Sequence, residues 1–422
     1  MIDRRDFLKK VGAVGLGSVA VSLESAAAEP NEPNKPKAAD SKPVAPAAQE
    51  PNVPEDKNKT VLPQVPRRPL GKTGVTVPIV SLGAMFDIME NQFILRKSLQ
   101  YGVNYWDTAH SYAGGNSELG IGKFIGKNPE LREKLFIVTK ASKAKNIADV
   151  DRLLAESLKK LKTGYVDLYY GVHGLDDPSE LTDELKNWVK SAKEKKLIRF
   201  FGFSTHTNMA QNLAAAAKLD WIDAIMTTYN FRLMQDEQMQ AAVEACSKAG
   251  IALIAMKTQA KSVTEEDKKL TGSFTASGFT DGQAKIKAVL QDKRISSACV
   301  GMTTVELLES GIAAAIDKKA LSQADEDRLK EYALANCSGY CAGCADICGQ
   351  AMPRMPYVGE IMRSLMYCNG YGREDWGREV FSQIPADTRS CMASLDYTGV
   401  EASCPQRMPI GRLVAQAVKK FA

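Results

Sequence analysis

Residues 135–172 read LFIVTKASKAKNIADVDRLLAESLKKLKTGYVDLYYGV. Two apolar runs, LFIVTKA (135–141) and YVDLYYGV (165–172), flank VDRLLAESLKKLKT (150–163), whose apolar residues recur at helical spacing. Strands that are almost continuously apolar and joined through a helix imply parallel pairing in a sheet covered on both faces. Working outward, the same pattern places strands at VPIVSLGA (77–84), YWDTA (105–109), IRFFGFS (198–204), AIMTTYN (224–230), IALIAMK (251–257) and SSACVGM (296–302). Helical stretches fall between them, among them MQAAVEACSKAG (239–250), which closes on a glycine as a C-cap would.

Eight strand–helix units within about 240 residues fit a closed (β/α)₈ TIM barrel. An open doubly wound sheet fits less well, because no Gly-x-Gly-x-x-Gly follows the first strand. The expected fold class is therefore α/β, a barrel over residues 66–320. A polar stretch at 261–281, KSVTEEDKKLTGSFTASGFTD, would lie after the seventh strand on the face where barrels do chemistry.

The barrel leaves both ends of the chain over. Residues 1–28 carry Arg4-Arg5 before Phe7-Leu8-Lys9-Lys10, a short apolar run and Ala26-Ala27-Ala28, which resembles a twin-arginine export signal. The expected location is periplasmic or at the cell envelope, with no membrane span in the mature chain. Residues 29–65 are rich in Pro, Ala, Lys and Glu and read as a disordered tether. The formal charge of +5 on 422 residues is too mild to imply a nucleic-acid partner.

Functional side chains of such barrels sit at the C-terminal ends of strands. Here the second strand ends in Asp107 and runs into a loop bearing Tyr112; the third ends in Lys140 and the fourth is followed by His173. A phenol is a weak acid at neutral pH, and a nearby lysine would lower its pKa while an aspartate kept that lysine charged. A histidine N–H can hold a carbonyl oxygen in line with the phenol. The four suit protonation of an oxygen as hydride reaches its carbon, or the reverse oxidation.

The stretches RPLGKTGVTVPIVSLG, DTAHSYAGGNSELGIGKFI, FIVTKAS and DLYYGVHGLD resemble the aldo-keto reductase superfamily from about Arg68 to Ala315. The resemblance implies that Tyr112 donates the proton, Lys140 and Asp107 tune it, and His173 orients a small carbonyl or alcohol substrate, sugar-like or otherwise polar. It also implies an NAD(P) cofactor, met by Ser204 and His206 at the carboxamide, Tyr229 and Asn230 near the nicotinamide, and Gly301, Thr303 and Thr304 at the phosphates. The chain departs from the family pattern at Leu307, Ser310 and Gly311, where adenosine contacts are expected, and no Arg stands ready for a 2′-phosphate. Those departures keep an alternative open: a non-catalytic scaffold or binding protein with a decayed dinucleotide site and a structural metal centre.

Four cysteines crowd CSGYCAGCADICGQAMP (337–353), of nine in the chain. Disulfides, zinc and an iron–sulfur centre could each use them. Cys404-Pro405, ahead of a short helical stretch, resembles the closing half of a bacterial ferredoxin motif, in which the fourth Cys of each run ligates the other run's cluster. Aligned so, Cys341, Cys344, Cys348 and Cys404 form one complete ligand set. The other set is lost together, at Met352, Ser394, Tyr397 and Val400. A single 4Fe-4S cluster is expected, in a small, mainly helical, ferredoxin-like domain over 321–422, with a redox partner protein if it relays electrons. Ile361, Leu365, Met366 and neighbouring aromatics read as a packing face of that domain.

Overall fold

A computed structural model describes residues 62–265 and 278–422. The export signal, most of the tether and the middle of the polar stretch at 261–281 lie outside the described residues. Eight parallel strands close into a barrel: β3 (Val80–Gly83), β4 (Tyr105–Asp107), β5 (Phe136–Lys140), β6 (Val166–His173), β7 (Ile198–Thr205), β8 (Ala224–Thr228), β9 (Ala252–Met256) and β10 (Ile295–Gly301). β10 pairs with β3 to complete the ring. The barrel interior is filled by Tyr105, Val138, Leu168, Tyr170, Met226 and Ile254 from successive strands, so it is a packed core rather than a pore.

The strand expected over 77–84 divides. Its first part joins a hairpin of β1 (Arg67–Pro69) and β2 (Thr76–Pro78), and the backbone bends at Ile79 before β3 begins. This hairpin places Leu70 and Val77 in the barrel core, while Lys72 N–H donates to the Gly250 carbonyl at 2.8 Å. Gly250 follows the helix Glu237–Lys248 with φ +71°, the left-handed geometry that a glycine tolerates at a helix end. The tether expected through residue 65 also ends early: Val65 is buried and its N–H bonds the Tyr101 carbonyl at 2.9 Å.

After β10 come the helices Val305–Ile316 and Gln323–Ala335, then a helical tail. Its main helices are Ala345–Ala351, Val358–Leu365 with a π-helical extension to Gly370, Glu374–Ser382, Thr398–Ser403 and Ile410–Phe421. The tail has its own apolar core, which includes Ile361, Leu365, Phe381, Leu413 and Phe421, and it takes Val263 from the loop after β9. Met352, Tyr397 and Val400, three positions of the missing cysteine set, are buried in that core. Tail and barrel form one compact unit from Leu62 to Ala422.

Candidate active site

Strand register brings the four expected catalytic side chains to one end of the barrel. Asp107, Lys140 and His173 close β4, β5 and β6, and Tyr112 opens a 3₁₀ turn just after β4. That turn needs left-handed backbone at Ala113 (φ 51°) and Gly114 (φ 65°).

Lys140 Nζ lies 2.5 Å from Asp107 Oδ1 and donates to the Thr108 carbonyl at 2.7 Å. Both side chains of the pair are almost fully buried. Burial raises the Asp107 pKa, and the Lys140 ammonium opposes that rise. The same ammonium stands 4.8 Å from the centre of the Tyr112 ring. The Tyr112 and His173 rings meet edge to face at 6.0 Å and 71°.

The expected lowering of the phenol pKa is not what the surroundings produce. Part of Tyr112 stays open to solvent, yet desolvation pushes its pKa well above the ordinary phenol value, helped by Asp107, Tyr367 and Cys299. Desolvation is the larger cause and the Asp107 carboxylate adds to it, so the phenol is held protonated before substrate arrives.

His173 is driven the other way, down to about 3, by burial and then by the Lys140 and Arg363 cations. Its tautomer follows from two serines that the sequence reading missed. Ser142 Oγ accepts from both the N–H and the hydroxyl of Ser111, at 3.3 and 2.9 Å. Its own proton is thereby left for His173 Nδ1, 3.1 Å away, and Nε2 carries the N–H. Their only sequence signal is position: both follow strand ends.

The expected cofactor residues divide into two groups. Ser204 lies within β7 and accepts from the Gly174 N–H at 3.1 Å; His206 follows β7 and meets Thr228 Oγ1 at 3.4 Å. Gly301 closes β10 and Thr303 follows it at the same end of the barrel, and a Cβ at Gly301 would meet nothing within 4 Å, so the backbone there is open to a phosphate. Thr304 caps the next helix by accepting from Leu307 N–H at 3.3 Å, and Glu306 draws on the same helix end, its carboxyl held below its usual value by backbone N–H and the Thr304 hydroxyl.

Tyr229 and Asn230 do not join the first group. The Tyr229 hydroxyl donates to Asp292 at 2.7 Å and accepts from Gln240 at 2.9 Å, between the helices Glu237–Lys248 and Asp281–Gln291. Asn230 Nδ2 donates to Tyr340 Oη at 2.8 Å, because the tail covers that strand end. A buried aromatic one residue past a strand has two faces available, and the helix layer took this one.

Cys341, Cys344, Cys348 and Cys404 line one cavity in the tail, walled otherwise by Val358, Met362, Met408 and Ile410. Burial and the neighbouring thiols push Cys341, Cys344 and Cys348 up to about 12. Cys337 lies outside this lining. Among the described residues no three His, Cys, Asp or Glu side chains are spaced to hold a single metal ion. Cys341 also faces a second cleft at the barrel mouth, with His206, Thr228, Lys257 and Arg363.

A closed parallel barrel whose strand ends assemble Asp, Tyr, Lys and His at one mouth defines the class: a (β/α)₈ barrel with the polar strand-end site of an enzyme. The model of the Aldo/keto reductase family matches residues 83–326, more than half of the chain. The chain belongs to that family of NAD(P)-dependent oxidoreductases. It is similar to an aldo-keto reductase of Gibberella moniliformis, 30% identical over 40% of this chain and 51% of the relative, so it spans about half of that protein. It is also similar to the L-galactose dehydrogenase of Arabidopsis thaliana, 24% identical over 63% of this chain and 92% of the relative. In fold it is similar to the holo form of an aldo-keto reductase from Bacillus halodurans, with a TM-score of 0.54 and 18% identity over 64% of this chain and 96% of that one. Among the described residues no helix is long and apolar enough to cross a membrane.

Proposed function

We propose that this oxidoreductase interconverts a carbonyl and an alcohol on a small polar, sugar-like substrate, with Tyr112 as proton donor in the reducing direction. The observation that carries the reading is the buried Lys140–Asp107 pair set directly beneath a phenol that faces a neutral histidine. When bound, NAD(P) supplies or takes the hydride. In this reading His173 Nε2–H and the Tyr112 hydroxyl, on rings that meet edge to face at 6.0 Å, are the two donors to the substrate carbonyl oxygen. As negative charge grows on that oxygen, Tyr112 gives up its proton, and the Lys140 ammonium offsets the charge left on the phenolate. Ser204, His206, Gly301, Thr303 and Thr304 are the residues that would hold the dinucleotide. The L-galactose dehydrogenase relative favours a sugar-like substrate. The intact foursome counts against a mere scaffold.

The tail is proposed to hold one 4Fe-4S cluster on Cys341, Cys344, Cys348 and Cys404, in a ferredoxin-like arrangement. Four thiols around one apolar-walled cavity suit a cluster, which spans its ligands more widely than a single zinc does. Export by a twin-arginine signal to the periplasm or cell envelope completes the proposal, since that route carries folded proteins with cofactors in place. Tyr112→Phe should lower kcat at least about 10³-fold with little change in Tm. Full turnover in that variant would remove the catalytic assignment. Anaerobically purified protein should contain iron and sulfide near four each per chain and lose them in Cys404→Ser; zinc in place of iron would refute the cluster.

A further inference from the structure

Successive side chains of a strand alternate between its two faces, and paired residues of parallel neighbours share a face. In β6, Leu168 and Tyr170 fill the barrel interior, while the Tyr169 hydroxyl donates outward to the Val150 carbonyl of the helix Ile147–Leu161 at 3.0 Å. Continued without a break, that alternation sends His173 outward, away from Tyr112. The register supplies the break. Tyr170 stands opposite Gly202, Val172 opposite Phe203 and His173 opposite Ser204, so β6 advances three residues where β7 advances two. Gly171 is the extra residue, and the bulge it makes returns His173 to the face that Tyr170 occupies.

We propose that Gly171 is a positioning residue of the active site: its bulge turns His173 into the barrel mouth, and no residue with a side chain can take its place. The inference rests on the reading of His173 as the residue that orients the substrate carbonyl. Gly171 does not have left-handed backbone, so space rather than conformational strain sets the requirement. A Cβ there would stand 2.5 Å from Phe201 Cε2, 2.9 Å from Phe201 Cζ and 3.4 Å from Val150 Cγ1. Phe201 has little room to yield, being fully buried with the rings of Trp188 and Trp221 centred 6.2 and 5.7 Å away. A side chain at 171 is therefore accommodated by giving up the bulge. Regular pairing from Tyr170 onward then sets Val172 opposite Ser204 and turns His173 to the outer face, away from Ser142 at 3.1 Å and from the Tyr112 ring. Deleting Gly171 has the contrary result. Tyr170, Val172 and His173 then pair one for one with Gly202, Phe203 and Ser204, and His173 stays inward.

The test sets substitution against deletion in the full-length protein, with 4-nitrobenzaldehyde reduced by NADH or NADPH and L-galactose oxidised by NAD⁺ or NADP⁺. Gly171→Ala should lower kcat/KM about 10- to 100-fold while the Kd for the dinucleotide stays within about 2-fold. Deletion of Gly171 should keep turnover within about 3-fold of wild type. Added to His173→Ala, Gly171→Ala should cost less than about 2-fold more, because it acts through that side chain. Gly171→Ala combined with Phe201→Leu, which frees room for the new carbon, should recover part of the loss. Independently of turnover, the nuclear Overhauser contact between the His173 and Tyr112 rings should persist in the deletion variant and vanish in Gly171→Ala. Loss of that contact or of the fold on deletion, or its retention in Gly171→Ala, would overturn the inference, and the deletion alone decides should Gly171→Ala not fold. Losses that add in the His173→Ala background would overturn it as well. Ring contacts that follow these expectations in a protein whose His173→Ala variant turns over at the wild-type rate would instead sink the orienting role of His173 and leave its placement by Gly171 standing.

Discussion

His173 and Tyr112 are pushed in opposite directions by one environment, and each shift has a measurable consequence. Burial and two cations hold His173 at about 3 against an ordinary 6.5, so the unfolded chain binds the extra proton between those values. The stability owed to neutral His173 is therefore fully present above about pH 6.5 and lost as the pH falls toward 3. In urea titrations, wild type should lose more stability between pH 6.5 and 4 than His173→Gln does, by a few kcal/mol at most. Parallel pH curves would contradict this. Turnover in the reducing direction should show no histidine break near pH 6.5, and it should persist to about pH 9, because the phenol stays protonated. At this scale the sequence was informative about which residues meet and poor about their electrostatics. Asp107, Tyr112, Lys140 and His173 all fall at strand ends, and strand ends can be counted. That burial would raise the Tyr112 pKa, with the Asp107 carboxylate adding to the rise, depends on a dry interior, which no spacing rule conveys. Nor does any spacing rule convey that the Tyr229 hydroxyl bonds Asp292 and Gln240, since the direction of a side chain just past a strand is decided by the neighbouring helix.

Among the elements, the loop between Cys341 and Cys344 is tightly constrained. Gly343 has φ +81°, and a Cβ there would come within 2.3 Å of the His206 carbonyl oxygen. Its own carbonyl accepts from the Asn208 N–H at 2.8 Å, while Asn208 Oδ1 accepts from the Asp346 N–H at 2.9 Å. This loop is thus docked on the residues following β7 by one backbone bond and one bond to the Asn208 side chain. Gly343→Ala should cost about 2–4 kcal/mol through strain and close contact, and it should weaken iron retention. Gly349→Ala, in the next helix with nothing within 4 Å of the added carbon, is the control and should keep both iron and Tm. Equal behaviour of the two variants would show that the docking is dispensable. The eight barrel strands were legible because fully buried parallel strands read as apolar runs, and only the first was misjudged. Its run, VPIVSLGA, is continuous in sequence but bends at Ile79 to serve a hairpin and the barrel in turn. The helix bearing Arg363 was read correctly as a packing face for Ile361, Leu365 and Met366. Periodicity reports the face that is buried; it is silent on which neighbour the edge of that face touches.

Across the whole molecule, tail and barrel are joined through polar contacts spread over three places, which predicts how the protein unfolds. Arg232, after β8, donates to the carbonyls of Asn336 at 3.0 Å and Ala333 at 3.5 Å, at the end of the helix Gln323–Ala335. Its guanidinium lies 5.1 Å from the Tyr332 ring and 5.2 Å from that of Tyr340. The loop after β9 adds Val263 N–H to the Gly339 carbonyl at 3.0 Å and receives Asn369 Nδ2 on the Val263 carbonyl at 2.6 Å. Docking of Gly343 beside His206 makes the third place. Helix carbonyls left without donors in a buried seam cost about 1–3 kcal/mol each, so the tail cannot lift off without a penalty comparable to local unfolding. The protein, with the proposed cluster in place, should therefore melt in one calorimetric transition. Arg232→Ala removes two of those bonds and the cation between aromatic rings, and should destabilise by about 3 kcal/mol. It should also split the endotherm, with iron released in the lower step, because the barrel core does not include Arg232 while the tail depends on that seam for its position. Two well-separated transitions in the wild-type protein, or a single unsplit one in Arg232→Ala at unchanged Tm, would show that the tail and barrel fold independently of these contacts.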